Sequence, residues 1–414
     1  GSIYTHDVSG TDDSALRNTA YGITAMDAIT TGDNNTAVGY DALTANTTAG
    51  NNTGIGGYAL TANTTGGLNT AIGYSTLYSN STGANNVAVG SNALDANTTA
   101  SDNIAVGKDA MKVNTTGTRN IAIGTNAYDA SDTENDNLAI GYSAMTTNTA
   151  GGTQNIAIGN YAGDAITSGD KNTAVGYNAL TTNTSSENNT AVGADALLTC
   201  DGSNNTGIGT NALKLSTTGT QNTAVGHNAL TSNTTASQNT AVGQESLKAT
   251  TTGVSNTAVG AESMKANTTG TENTAVGMNV MLANTEGNNN VAVGTNTFQA
   301  NTTGSDNVAV GKNALDNNTT ADGNTAVGYY ALRANTTGTR NLAIGHNAYN
   351  SSDTENDNLA IGYDAMTTDT AGGQYNVAIG NYALDALGAG DNNTAIGYQA
   401  GSAATSASEN TFVG

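Results

Sequence analysis

Asn35-Thr36-Ala37-Val38-Gly39 is a pentapeptide that returns along almost the whole chain, and its spacing decides the fold. Pentapeptides of this kind end in a glycine 24 times. Of the 23 intervals between these glycines, 20 are 17 residues long, two are 18 and one is 16. A repeat this short and regular is typical of one structural element stacked many times, each copy burying its apolar side against its neighbours. We therefore expect residues 18–414 to form a single repeat domain.

Within one repeat, the pentapeptide favours a short β-strand. Side chains alternate between the two faces of a strand, so Thr36 and Val38 share one face and Ala37 lies on the other. The Thr36/Val38 face is apolar or β-branched in almost every repeat, which predicts that it is buried. The alanine is expected to meet another backbone at close range. A second strand is predicted at residues 42–45, followed by a turn at residues 46–50.

Two strands and two turns in each repeat predict an all-β fold, a parallel β-solenoid of about 23 coils with a 17-residue period. A helix is disfavoured because the apolar positions do not recur every three or four residues. Strands stack at about 4.8 Å, so the prediction is a rod about 110 Å long. Each repeat supplies about two large apolar side chains, Val38 and Leu43 in the repeat that begins at Asn35. A single rod therefore has little core, and we expect three copies to pack side by side along the alanine side of the strand.

A larger repeat lies over the small one. Residues 118–124 return as 339–345 and residues 132–137 return as 353–358, in both cases 221 residues later, which is 13 repeats of 17. Duplication of a block of repeats is the simplest explanation. At the chain ends, residues 1–17 are expected to be a cloning remnant and a lead-in, and the last repeat stops before it is complete, so the natural protein is expected to continue.

Charge and residue usage exclude several classes of function. The chain has 33 acidic and 11 basic residues, a net charge of −22, which opposes binding to nucleic acid or anionic membranes. No apolar run is long enough to span a membrane. Cys200 is the only cysteine, and the three histidines are His6, His227 and His346. They form no pattern of nucleophile, acid and base, so we predict that the protein is not an enzyme and has no cofactor.

Two sets of residues are candidates for binding. The residue after the closing glycine is often tyrosine, which predicts an exposed column of aromatic rings. We expect these rings to stack on sugars. The alternative is that these residues only cover the strand edge. The candidate ligand-binding residues are Tyr40, Tyr74, Tyr142, Tyr177, Tyr329, Tyr363 and Tyr398.

Two acidic turns are candidate Ca²⁺ sites, although they lack the glycine and distal glutamate of an EF-hand loop. The alternative is that these turns are only solvated. Their residues are Asp132, Glu134 and Asp136, and Asp353, Glu355 and Asp357.

A third pattern supports an alternative function. Asn-Thr-Thr recurs at the predicted turn, first at residues 46–48, so threonines are expected to line up at strand spacing. Such arrays of hydroxyl groups resemble those of ice-binding solenoids. Several repeats break the pattern, among them the repeat that contains Cys200. Ice binding through a threonine ladder is therefore kept as the alternative function.

The pentapeptide resembles the head repeat of trimeric autotransporter adhesins. The longer pattern Asn-Thr-Ala-Val-Gly-Tyr-x-Ala-Leu-x-x-Asn-Thr-Thr-Gly is similar to repeats in tail-fibre-like proteins of phages and in bacterial surface fibres, and the likeness covers the chain after residue 17. The repeat is longer here than in the usual adhesin head. The resemblance implies a left-handed β-roll of three chains, located outside the cell on a bacterial surface or a virion. It also implies a fibre or adhesin segment that projects a binding tip, with surface glycans or a host-cell receptor as partners.

Overall fold

The computed structural model describes residues 3–4, 14–148, 151–368 and 372–414. The chain divides into two compact units, residues 1–204 and residues 205–414. In the described residues of both units, short strands alternate with turns and no helix is present. The predicted parallel β-solenoid of about 23 turns with a period of about 17 residues is confirmed. The single domain predicted for residues 18–414 stays a prediction.

Each coil, meaning the stretch from one strand to the next, contributes one strand. The first unit contains β1 Ile3–Tyr4, β2 Thr19–Tyr21, β3 Thr36–Val38, β4 Thr53–Ile55, β5 Thr70–Ile72, β6 Val87–Val89, β7 Ile104–Val106, β8 Ile121–Ile123, β9 Leu138–Ile140, β10 Ile156–Ile158, β11 Thr173–Val175 and β12 Thr190–Val192. The second unit contains β13 Thr206–Ile208, β14 Thr223–Val225, β15 Thr240–Val242, β16 Thr257–Val259, β17 Thr274–Val276, β18 Val291–Val293, β19 Val308–Val310, β20 Thr325–Val327, β21 Leu342–Ile344, β22 Leu359–Ile361, β23 Val377–Ile379, β24 Thr394–Ile396 and β25 Thr411–Val413.

Within each unit, successive strands pair in parallel and in register. In the pair β14 and β15, for example, Thr223 lies opposite Thr240 and Val225 lies opposite Val242. Equivalent side chains of successive coils therefore form ladders along the stack. A side-chain type that occurs at the same position of successive coils therefore recurs about every 4.8 Å along the stack.

The buried face of the strand is the opposite of the one predicted. Ala37 is completely buried, whereas Thr36 and Val38 are partly exposed. The alanine faces the inside of its own coil, so the predicted packing of copies along the alanine side was wrong as well. At Gly54, which takes the place of this alanine in the next coil, an added Cβ would lie 3.4 Å from Cγ of Leu43. The prediction was wrong because Leu43 already fills the narrow interior and leaves room for little more than a methyl group.

Residues 40–45 form a turn, so the second strand predicted at residues 42–45 was also wrong. Asp41 and Leu43 have φ angles of 53° and 54°. Two left-handed residues this close together cannot continue a strand. The turn is still bonded along the stack, because the N–H of Leu43 donates to the carbonyl of Ala59 in the next coil at 2.9 Å.

Two columns of buried asparagine hold the turns together. In the first column, the backbone N–H of Asn52 donates to Oδ1 of Asn35 at 2.9 Å, and its Nδ2 donates to the carbonyl of Gly66 at 3.0 Å. In the second column, Nδ2 of Asn63 donates to Oδ1 of Asn46 at 3.2 Å. These amides thus find partners in neighbouring coils, which satisfies polar groups that are buried away from water. The core combines alanine and larger apolar side chains such as Leu43 with these polar ladders.

Candidate functional site

The tyrosines predicted to bind ligand all lie at the surface, at the start of the turn that follows the strand. Their exposed fractions run from 37% at Tyr329 to 65% at Tyr398. The others are Tyr40, Tyr74, Tyr142, Tyr177 and Tyr363. Their exposure is as predicted in both units, and binding of a ligand to them stays a prediction.

Three further tyrosines lie beside these residues: Tyr58, Tyr161 and Tyr382. Each occurs one position later than the usual tyrosine, in a coil that has glycine or asparagine at the usual position. The ring of Tyr58 lies 5.3 Å from that of Tyr40 and 5.6 Å from that of Tyr74, measured between ring centroids. The late tyrosine therefore fills the gap that Gly57 leaves. The signal in the sequence was a tyrosine displaced by one residue where the column would otherwise be interrupted.

In the described stretches of the chain, the rings form three aromatic clusters, each inside one compact unit. The first cluster is Tyr40, Tyr58, Tyr74 and Tyr78; the second is Tyr142, Tyr161 and Tyr177; the third is Tyr329, Tyr330, His346, Tyr363, Tyr382 and Tyr398. Most contacts are edge to face, the preferred geometry of aromatic pairs. In the third cluster, the His346 ring is stacked between Tyr329 and Tyr363, with both centroid distances 5.1 Å. Arg333 lies 4.7 Å from the centroid of the Tyr330 ring.

The first acidic turn does not gather its carboxylates around one point. Glu134 is buried, and its Oε2 accepts the backbone N–H groups of Asp132 and of the next residue at 2.9 and 3.0 Å. Its Oε1 accepts the N–H of Gly151 from the following coil at 3.1 Å. Asp136 instead forms two hydrogen bonds with Arg119, at 2.6 and 2.9 Å, and these hold the pKa of Asp136 below its ordinary value. The carboxylates of Glu134 and Asp136 therefore already accept hydrogen bonds from other groups of the chain.

The second acidic turn repeats this arrangement. Glu355 accepts the N–H groups of Asp353 and Gly372 at 2.7 and 3.1 Å, and Asp357 pairs with Arg340. In the part of the chain that the structure describes, no group of three or more His, Cys, Asp or Glu side chains could hold a metal ion. The two Ca²⁺ ligand sets suggested by the sequence are not assembled.

The Asn-Thr-Thr threonines lie in a turn, where half of them are already bonded. The hydroxyl of Thr47 donates to the carbonyl of Thr64 at 3.3 Å, and the hydroxyl of Thr64 donates to the carbonyl of Ser81 at 3.1 Å. Thr48 is exposed. The first threonine of each triplet therefore ties one coil to the next, and only the second leaves its side chain at the surface.

The strand face is the most regular exposed surface; we define it as the outward side chains of the first and third residues of each strand. In the second unit, five consecutive coils present one column of threonine and one of isoleucine or valine. The columns are Thr206, Thr223, Thr240, Thr257 and Thr274, and Ile208, Val225, Val242, Val259 and Val276. In the first unit, the first column becomes aliphatic at Val87, Ile104, Ile121, Leu138 and Ile156. Contiguous exposed apolar surface of this kind marks interaction sites.

Comparison with known proteins does not assign the chain: no family model matches it, and no curated protein gives a significant match. Among the described residues, no helix is both long and apolar enough to cross a membrane. The surfaces that the coils offer for binding are the strand face and the three aromatic clusters.

Proposed function

We propose that the chain is a non-enzymatic segment of an extracellular fibre or adhesin, assembled from three parallel copies, that projects a binding tip from a bacterial cell or a virion. The observation that carries this proposal is the strand face. Nearly every coil holds a branched apolar side chain outward, and the exposed fraction is 36% for Val242 and 46% for Ile396. A second copy of the chain is the partner that this surface fits best.

The apolar area available is large enough to support association. Burying the exposed part of one valine or isoleucine contributes up to about 1 kcal/mol, so about ten coils contribute on the order of 10 kcal/mol. This sum is comparable with the cost of association, about 4–15 kcal/mol. Contact along many coils is therefore needed, which favours side-by-side packing of whole stacks over a contact at one point.

The distribution of charge favours another copy of the same chain. The strands contain no charged residue, although the whole chain carries a net charge of −22. Identical copies can therefore meet along the strand face without placing like charges in the interface. Each copy also repeats its side chains at the same spacing, so the columns of one copy match those of the next along their length.

The mass in solution tests this proposal. We expect light scattering to give three times the chain mass of 41.1 kDa. Val242→Asp combined with Val276→Asp should convert the assembly to single chains, because the new carboxylates would be buried next to their copies. Thr252→Asp combined with Thr269→Asp adds the same two charges at exposed turn positions and should leave the mass unchanged. A wild-type mass of one chain at micromolar concentration would contradict the proposal.

Surface glycans or a host-cell receptor are the proposed ligands of the predicted tyrosine column. The support is the half-exposed phenol rings on successive coils of the aromatic clusters, which offer an apolar ring and a hydroxyl group to sugars. A glycan array probed with the intact protein tests this part separately. Substitution of Tyr363 and Tyr398 by alanine should weaken any signal, and a wild-type protein that binds no glycan on the array would count against it.

Ice binding is the second candidate function, now on a different surface from the one predicted. The part of the strand face with five in-register threonines beside branched apolar residues favours it. Assembly of three copies would cover this face, so the two functions exclude each other. Thermal hysteresis from a single-chain protein would support ice binding, whereas a three-chain assembly without hysteresis would support the fibre.

A further inference from the structure

We propose that the three aromatic clusters are sites of oxidative cross-linking, where tyrosines of neighbouring coils become joined through ring carbons to form dityrosine. The co-reactant is hydrogen peroxide, used by a peroxidase-type one-electron oxidant. This inference rests on the positions and the exposure of the rings and does not depend on the proposed function.

The geometry of the first cluster shows why these tyrosines are suited to coupling. Tyr58 lies between its neighbours, with ring centroids 5.3 Å from Tyr40, 5.6 Å from Tyr74 and 6.3 Å from Tyr78, and interplanar angles of 81°, 89° and 73°. At these separations, an edge of one ring is in van der Waals contact with the next ring. Coupling therefore needs rotation of side chains and no rearrangement of the backbone.

Accessibility adds to the proximity. Tyr40, Tyr74 and Tyr78 are exposed, so an oxidant in solution can reach their phenols. The second cluster repeats the arrangement, with Tyr161 at 5.5 and 6.2 Å from its two neighbours. In the third cluster, Tyr382 lies 5.5 and 6.1 Å from the tyrosines on either side. In every cluster, one tyrosine in the displaced position contacts tyrosines of both adjacent coils.

Tyrosines outside the clusters that lack either exposure or a neighbouring aromatic ring serve as internal references. Tyr128 and Tyr349 are completely buried. Tyr375 is exposed, but none of the described aromatic rings lies against it. Coupling should therefore be confined to the clusters, even though many tyrosines are present.

The reaction balances with one molecule of hydrogen peroxide for each cross-link. Each of two phenols gives up its O–H hydrogen as a proton and an electron, which leaves two tyrosyl radicals. The radicals form a C–C bond between ring carbons next to the oxygens, and the hydrogens on those carbons move to the oxygens and restore both phenols. The tyrosine pair is oxidised by two electrons, and hydrogen peroxide takes up two electrons and two protons to give two water molecules.

Each cross-link would join two adjacent coils at the surface. The backbone hydrogen bonds between those coils, such as the one from the N–H of Tyr58 to the carbonyl of Tyr40 at 2.8 Å, would then open less often. A covalent bridge acts mainly by restricting the opened state, as a disulfide does. The chain has only one cysteine, so an intrachain disulfide cannot supply such a bridge.

Treatment of the full chain with a peroxidase and hydrogen peroxide tests the proposal. We expect dityrosine fluorescence, no change in chain mass on a denaturing gel, and cross-linked peptides that pair Tyr58, Tyr161 or Tyr382 with a neighbour from their own cluster. The variant with Tyr58→Phe, Tyr161→Phe and Tyr382→Phe keeps the rings and should lose several-fold of the fluorescence. Tyr375→Phe is the matched control and should lose none.

Three results would overturn the proposal. One is the absence of dityrosine under conditions that couple free tyrosine. Another is a fluorescence yield that the triple substitution leaves unchanged, with circular dichroism matching the wild type. The last is a peptide map of the wild-type protein in which the cross-links lie at Tyr375 or only between chains. Because this map needs no variant, it tests the proposal even if the substitutions disturb folding.

Discussion

Replacement of Gly56 by alanine should lower the free energy of unfolding of its coil by at least about 3 kcal/mol, whereas replacement of the adjacent Gly57 should change it by less than about 1 kcal/mol. Gly56 has a φ of +134°, and an added Cβ would lie 2.3 Å from the carbonyl oxygen of Gly73 in the next coil. At Gly57, the nearest atom would be a ring carbon of Tyr74 at 3.7 Å, an ordinary contact.

The two variants are matched because they add the same methyl group to neighbouring residues of one coil. Stacked coils open locally, so hydrogen exchange is a more direct measurement than a global melting temperature. We expect faster exchange at the amides of residues 53–73 in Gly56→Ala and nearly wild-type exchange in Gly57→Ala. Equal exchange in the two variants would show that close stacking of the glycine backbone does not limit stability.

Replacement of Asn239 by alanine should cost about 2–4 kcal/mol. Its Oδ1 accepts the backbone N–H of Asn256 at 2.9 Å, and its Nδ2 donates to the carbonyl of Gly253 at 2.8 Å. Both asparagines are completely buried, so alanine would leave one donor and one acceptor without a partner inside the coil.

Thr252→Ala is the control for this substitution, because Thr252 is exposed and lies in the turn next to Gly253. Its effect should stay within about 0.5 kcal/mol. Denaturant unfolding of the two variants under the same conditions provides the comparison. An Asn239→Ala protein as stable as Thr252→Ala would mean that the asparagine ladder adds nothing beyond filling space.

The regular part of the fold could be read from the sequence. The 17-residue interval fixes the number of residues in a coil, and the β-branched residues of Thr36–Val38 place the strand. The turn rich in asparagine and threonine at residues 46–50 also follows from composition. These features are local, because each depends on residues that are close together in the chain and on a period that is repeated many times.

The buried face could not be read in the same way. Alternation shows that Thr36 and Val38 lie opposite Ala37, but not which of the two sides faces inward. Hydrophobicity favoured the valine, yet the width of the coil decides, and the width depends on Leu43 reaching across from the turn. The turn itself was misread because Leu43 has a φ of 54°, a conformation that leucine rarely adopts and that only the repeated contacts between coils maintain.

The candidate binding surfaces, too, could be predicted only in part from the sequence. The spacing after the closing glycine placed Tyr40 and its equivalents at the surface, but Tyr58 was not selected because it occurs one residue later. The acidic turns are compact in sequence, and their spacing predicts a common ligand set for Ca²⁺. Glu134 instead turns inward, because the 18-residue coil that follows brings the N–H of Gly151 within 3.1 Å of its carboxylate.

The in-register stacking of equivalent coils has an evolutionary consequence. Each coil offers its neighbour nearly the same ladder of alanine, leucine and asparagine, so a gene that gains or loses a whole number of coils still encodes matching contacts at the new junction. Recombination between misaligned copies of the gene would therefore yield foldable proteins of different lengths. The 221-residue displacement between residues 118–124 and 339–345 is a whole number of coils, as such an event requires.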